Sequence, residues 1–120
     1  MLQVENFTRG VTLVEHGRVA NTHWARLVGL IGVRQMVPGD GLAIVPCRSV
    51  HCFFMSMPID VLYVNREHRV VAMDHELRPW RIGSLHKGVH YVVELPAGTL
   101  ARTGTAVGDQ LRVAAEVLAS

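Results

Sequence analysis

At 120 residues, 49% of them hydrophobic and 18% charged, the chain can bury a core of its own and is too apolar and too sparsely charged to be disordered. Its 12 basic and 10 acidic residues leave a net charge of +2 and are scattered, so the clustered Lys and Arg that drive nucleic-acid binding are missing. No run approaches the ~20 continuous apolar residues of a membrane-spanning helix, and Met1–Asn6 lacks the charged and apolar regions of a signal peptide. The expectation is a cytoplasmic protein with no membrane span.

In chain order, Val11–Val14 reads as a short strand closed by a turn at His16-Gly17-Arg18. Asn21 and Thr22 are good caps for a helix on which Trp24, Leu27, Val28 and Ile31 recur at helical spacing. Pro38-Gly39-Asp40-Gly41 is a turn leading into a strand at Leu42–Val45. Ile59–Asn65 is a β-branched and aromatic strand, Asn65–His68 a hairpin turn, and Arg69–His75 the returning strand. Arg78–Gly88, with Pro, Gly and Ser around Trp80, predicts a loop. Val89–Leu95 is a further strand, and Pro96 suits the first position of a short helix through Ala101. Gly104 ends that helix, Gly108-Asp109 turns, and Gln110–Val117 is the last strand. About six strands and one or two short helices predict a mainly-β, compact antiparallel barrel or sandwich, with residues 1–120 as one domain.

Chemistry concentrates in and around Cys47–Val64, where both cysteines, a histidine and one aspartate interrupt the longest apolar stretch. Asp60 divides its strand, with Ile59 and Val61 on one face and Asp60, Leu62 and Val64 on the other. A buried carboxylate there can act as an acid or base, because desolvation raises its pKa. It can equally pair with Arg26 or Arg48, or accept backbone N–H bonds near Pro58, and the cost of an unpaired buried charge favours these structural roles.

His51 between Cys47 and Cys52 suggests a metal, with Met55 as a soft ligand suited to Cu(I). Structural zinc takes four converging ligands, and adjacent His51 and Cys52 diverge on a strand, so no metal and no cofactor is expected. Cys47 with His51 could form a nucleophile and base, activated further by Arg48, but their spacing fits only a helical turn or tight loop. Both cysteines read as free thiols, and Cys52 beside Phe53 as a small buried hydrophobe. Glu94, ahead of Pro96, reads as a carboxylate favouring the positive end of the helix dipole before it reads as a ligand contact. Asp109 is a turn residue by type. Trp80, between Arg78 and Arg81, is a candidate stacking platform.

Five segments in this order carry a wider pattern: Arg26-x-x-Gly29-Leu30, Gly41–Val45, Ser49-Val50-His51-x-Phe53-Phe54-Met55 running into Pro58–Leu62, Glu94–Gly98, and Gly108-Asp109. From about Arg26 to about Asp109 the chain resembles the bacterial and archaeal family called domain of unknown function 192. The resemblance implies a compact, mostly antiparallel β-domain and no particular reaction. The chain departs from the pattern in the first helix, where Leu30-Ile31-Gly32 precedes Arg34, and at Cys52, where related sequences often carry Thr.

The reading that follows is a non-catalytic accessory module binding a small ligand or peptide. Its expected site draws on Arg26, Arg48, His51, Met55, Asp60, Glu94 and Trp80, with Asp60 and His51 orienting the ligand beside an apolar pocket. The first alternative is a small hydrolase or lyase using Asp60 or His51 as base, or Cys47 as nucleophile. The second is a structural interaction domain whose exposed strand edge pairs with a protein partner.

Overall fold

The computed structural model of the protein describes residues 1–20, 36–46, 57–78 and 87–115. Seven strands and one short helix form there: β1 (Leu2–Asn6), β2 (Val11–Ala20), β3 (Leu42–Ile44), β4 (Ile59–Val64), β5 (Val70–Leu77), β6 (Tyr91–Pro96), α1 (Thr99–Thr103) and β7 (Leu111–Ala114). They build a single sheet in the order β5-β4-β6-β3-β2-β1-β7. The mainly-β expectation holds, with the sheet mixed rather than antiparallel throughout. β2 and β3 run parallel, from Arg18 opposite Leu42 to Ala20 opposite Ile44, and the other neighbours run antiparallel.

The sheet curls into a half-barrel because the outer strands β5 and β7 meet at one end. Arg69 bridges Gln110, the Val70 N–H donates to the Asp109 carbonyl at 2.9 Å, and the Leu111 N–H donates to the His68 carbonyl at 2.8 Å. β4 and β6 are buried along their whole length, so both faces of the sheet are covered there. Inside the curl, Leu2, Val4, Leu13, Leu62, Val64, Tyr91, Val93, Leu95 and Leu111 pack together with Leu100 of α1. On the opposite face of β3, β4 and β6, Leu42, Ile44, Ile59, Val61, Tyr63 and Val92 make a second apolar cluster. The alternation expected of β4 is therefore observed, with both sets of side chains buried.

Three local expectations change. Leu2–Asn6, read only as lacking a leader, is a strand whose period-2 burial places Leu2, Val4 and Asn6 inward. The predicted turn at His16-Gly17-Arg18 is instead the middle of β2. A Cβ on Gly17 would stand 2.6 Å from Val14 Cγ1 and 2.7 Å from the Gly41 carbonyl oxygen, so glycine serves close backbone approach rather than a bend. Pro96 ends β6 instead of opening the helix. α1 begins only after Gly98, whose φ of 93° is left-handed, and stops at Gly104 with φ 69°.

The predicted helix around Trp24–Ile31, the Cys47–Ser56 stretch and nearly all of the predicted Arg78–Gly88 loop lie outside the described residues. Among the described residues, no helix is long and apolar enough to cross a membrane.

Candidate functional site

Asp60 is fully buried in β4 and both of its oxygens are used. Oδ1 accepts the Glu76 N–H at 2.8 Å and Oδ2 accepts the Leu100 N–H at 2.8 Å. The first bond follows from the sheet register. Ile59 stands opposite Leu77 and Val61 opposite Asp74, so His75 and Glu76 share the place opposite Asp60 in a β-bulge. Glu76 takes a left-handed φ of 49°, uncommon for a side-chain-bearing residue, and the carboxylate holds its displaced amide. The second bond satisfies an amide in the first turn of α1, whose own cap, Gly98, has no side chain to offer. One carboxylate thus fastens the β5 bulge and α1 to the central strand. Arg26 and Arg48, the side-chain partners considered for it, lie outside the described residues.

Glu94 is also fully buried, on the opposite face of the sheet from Leu95 and Leu100. The helix-favouring role expected of it is filled by Asp60 instead. Strand register aligns Leu42, Glu94, Val61 and Asp74 in one row across β3, β6, β4 and β5. Two carboxylates thus flank Val61 on a face otherwise made of Leu42, Ile44, Ile59, Tyr63 and Val92. Tyr63 sits opposite Ala72, one diagonal step from Asp74, which is within reach of an aromatic side chain on the same face. Its hydroxyl donates to Asp74 Oδ2 at 2.5 Å, while the residue as a whole is 2% exposed.

A second buried carboxylate knot ties the ends of the chain together. Asp109 Oδ2 accepts from Asn6 Nδ2 at 2.8 Å, Arg9 Nε at 2.7 Å and the Ala106 N–H at 3.0 Å. Asn6 Nδ2 also donates to Thr105 Oγ1 at 3.1 Å. Burial alone would raise the Asp109 pKa, but the bonds from Arg9, Asn6 and the Ala106 amide, with the Arg9 charge, hold it below the ordinary 3.8. At the closed end of the curl, His68 Nδ1 and the Tyr91 hydroxyl are 2.7 Å apart, and burial pushes the Tyr91 phenol well above its ordinary 10.0.

The structure therefore places two of the expected site residues, Asp60 and Glu94, on opposite faces of one sheet. Arg26, Cys47, Arg48, His51, Met55 and Trp80 lie outside the described residues. Among the described residues, no three His, Cys, Asp or Glu side chains converge as a metal site would require. Sequence reading passed over Asp74 and Tyr63. Alternation could have put them on the face of Val61, but only the register brings them together.

The model of the domain of unknown function 192, described as "Uncharacterized ACR", matches residues 6–113. A UPF0127 protein of Thermococcus sibiricus is 29% identical over 114 residues, which cover 88% of this chain and 71% of the relative. A UPF0127 protein of Thermococcus gammatolerans is 31% identical over 109 residues, covering 87% of this chain and 70% of the relative. Among solved structures, a protein of unknown function from Novosphingobium aromaticivorans superposes with a TM-score of 0.77 at 23% identity, over 92% of this chain and 82% of that one. At that identity the likeness is one of fold.

Proposed function

The chain belongs to the domain of unknown function 192 family, and from that premise we propose that it is a single-domain, non-catalytic binding or accessory module for a small polar ligand or peptide. The ligand is met where this face comes to the surface at the half-buried Asp74, with Tyr63 and Glu94 buried behind it. Asp60 supports the scaffold behind that face.

The observation that carries this reading is the row in which Val61 lies between Glu94 and Asp74. Few polar groups converging among apolar side chains are the usual make-up of a small-ligand site. Carboxylates kept in such surroundings cost desolvation, which favours a role beyond packing. The alternative of Asp60 as a catalytic base is disfavoured because each of its oxygens already accepts a backbone N–H.

A melting-temperature screen of small polar compounds and short peptides tests this reading. Ligands that bind the native state raise the Tm of the wild type by mass action. The expected result is a set of such ligands whose effect disappears in Glu94→Gln and in Asp74→Asn. A ligand-induced rise that survives both substitutions would move the site elsewhere, and turnover of any ligand would replace the accessory module with an enzyme.

A further inference from the structure

The outer face of β1, β2 and β7 holds an open cavity of about 400 Å³. Its cause lies in the pairing of β1 with β2. Leu2 stands opposite Gly17, Val4 opposite Val14 and Glu5 opposite Thr12, so β2 carries one extra residue at each of the two steps. Strict alternation from Thr12 would turn Val14 outward. The bulge instead buries Leu13 and Val14 in the inner cluster and leaves Glu15 and His16 outside. A hollow remains between Thr12 and Glu15, and Gln3, Glu5, Thr12, Glu15, Arg112 and Ala114 are the accessible residues around it.

The charges around this cavity do not cancel one another. Arg112 stands directly opposite Glu5 in the β1–β7 register, where opposite charges ordinarily interact. Its guanidinium carbon lies instead over the Phe7 ring, 4.5 Å from the centroid. Among the described residues, neither Arg112 nor Glu5 nor Glu15 has an ion pair. We infer that the cavity binds a zwitterion of dipeptide size, its carboxylate on Arg112 and its ammonium drawn to Glu15 and Glu5. A simple anion would meet Arg112 together with two carboxylates, and a simple cation would lie beside a guanidinium. A zwitterion matches both signs. Its length follows from the sheet: β7 and β2 are two strand spacings apart, roughly 10 Å. Side chains from both strands shorten that gap, and two extended residues span roughly 7 Å. Gln3 and Thr12, whose side chains make no hydrogen bond among the described residues, offer donors and acceptors to the peptide group between the charged ends. The volume is that of a small-ligand site. Asp74 is not among the lining residues, so this site does not rest on the reading of the other face.

Titration of isotope-labelled protein with glycylglycine, its N-acetyl form and its amide tests the assignment, read by backbone amide shifts at constant ionic strength. About pH 6.5 keeps the α-amino groups protonated. Saturable shifts centred on Gln3–Glu5, Thr12–Glu15 and Arg112–Ala114 are expected with glycylglycine, and at least about threefold weaker binding with either capped form. Arg112→Gln and Glu15→Gln, both at exposed positions, should each weaken glycylglycine about three- to tenfold and leave the rest of the spectrum unchanged. Phe7→Leu keeps every charge and frees the guanidinium, so it should weaken binding by less. Asp74→Asn should leave these shifts as they are, which separates this site from the one the melting screen tests. Absence of saturable shifts with glycylglycine, shifts unaltered by Arg112→Gln, or their loss in Asp74→Asn would overturn the site. Equal binding by either capped form would overturn the zwitterion as its ligand.

Discussion

Asp60 and Asp109 are both buried carboxylates, yet they are held by different kinds of partner. Asp60 accepts two backbone amides, from Glu76 and Leu100, and no side chain among the described residues. Asp109 accepts from the side chains of Asn6 and Arg9 as well as from the Ala106 amide. A backbone amide cannot swing away to find water, so losing its acceptor strands it. Arg9, whose side chain is 41% exposed, can turn to solvent when its partner goes. The same residue type is therefore a rigid fastener in one place and a partly yielding one in the other.

The largest expected effect separates the two directly. Asp60→Ala leaves the Glu76 and Leu100 amides without their acceptor and should cost about 3 kcal/mol or more in urea denaturation. Its loss should fall on the β5 bulge and α1, read as faster amide exchange at Glu76 and Leu100. Asp109→Ala should cost about 2 kcal/mol, because Arg9 rehydrates and only Asn6 and Ala106 lose partners in the interior. A cost for Asp109→Ala above that of Asp60→Ala would break the comparison.

Acid sharpens it. Asp109 has a folded pKa below its unfolded one, so the stability it contributes is fully present above about pH 4, its unfolded value, and is lost as the pH falls through the lowered folded pKa. The gap in urea midpoint between wild type and Asp109→Asn should therefore be constant from pH 7 to about pH 5 and shrink below about pH 4. A gap unchanged down to pH 2 would mean that the charge of Asp109 does not matter. The smallest effect is that of Arg9→Ala, about 0.5–1 kcal/mol and reduced further by added salt, as for other partly exposed pairs.

What could be read from the sequence divides along the same line between local and distant partners. β4, the β4–β5 hairpin and β6 announce themselves by β-branched alternation and turn residues that act within a few positions. The need of Asp60 for a partner was legible from its apolar neighbours, and backbone amides were among the partners considered. Which amides was not, because Glu76 arrives through a bulge and Leu100 from a helix 40 residues on. Gly17 shows the opposite failure. A glycine between polar residues reads as a turn, and only the approach of Gly41 and Val14 explains it as a strand residue. Asp109 was visible as a turn residue, while Asn6 and Arg9, its partners, lie at the other end of the chain. The Tyr63–Asp74 bond needs the register of two strands before it can be drawn.

The pairing of β1 with β7, Asn6 opposite Leu111, also governs the order in which the protein can be made. β1 leaves the ribosome long before the strand that covers its outer edge, and Asn6 leaves it 103 residues before the Asp109 that receives it. Until β7 follows, β1 is the outermost strand of the sheet, with β2 on one side and its other edge unpaired. The long sequence separation delays closure of the sheet and favours slow folding. The nascent chain thus carries an open strand edge until β7 is made, and over that interval it is exposed to pairing with another chain.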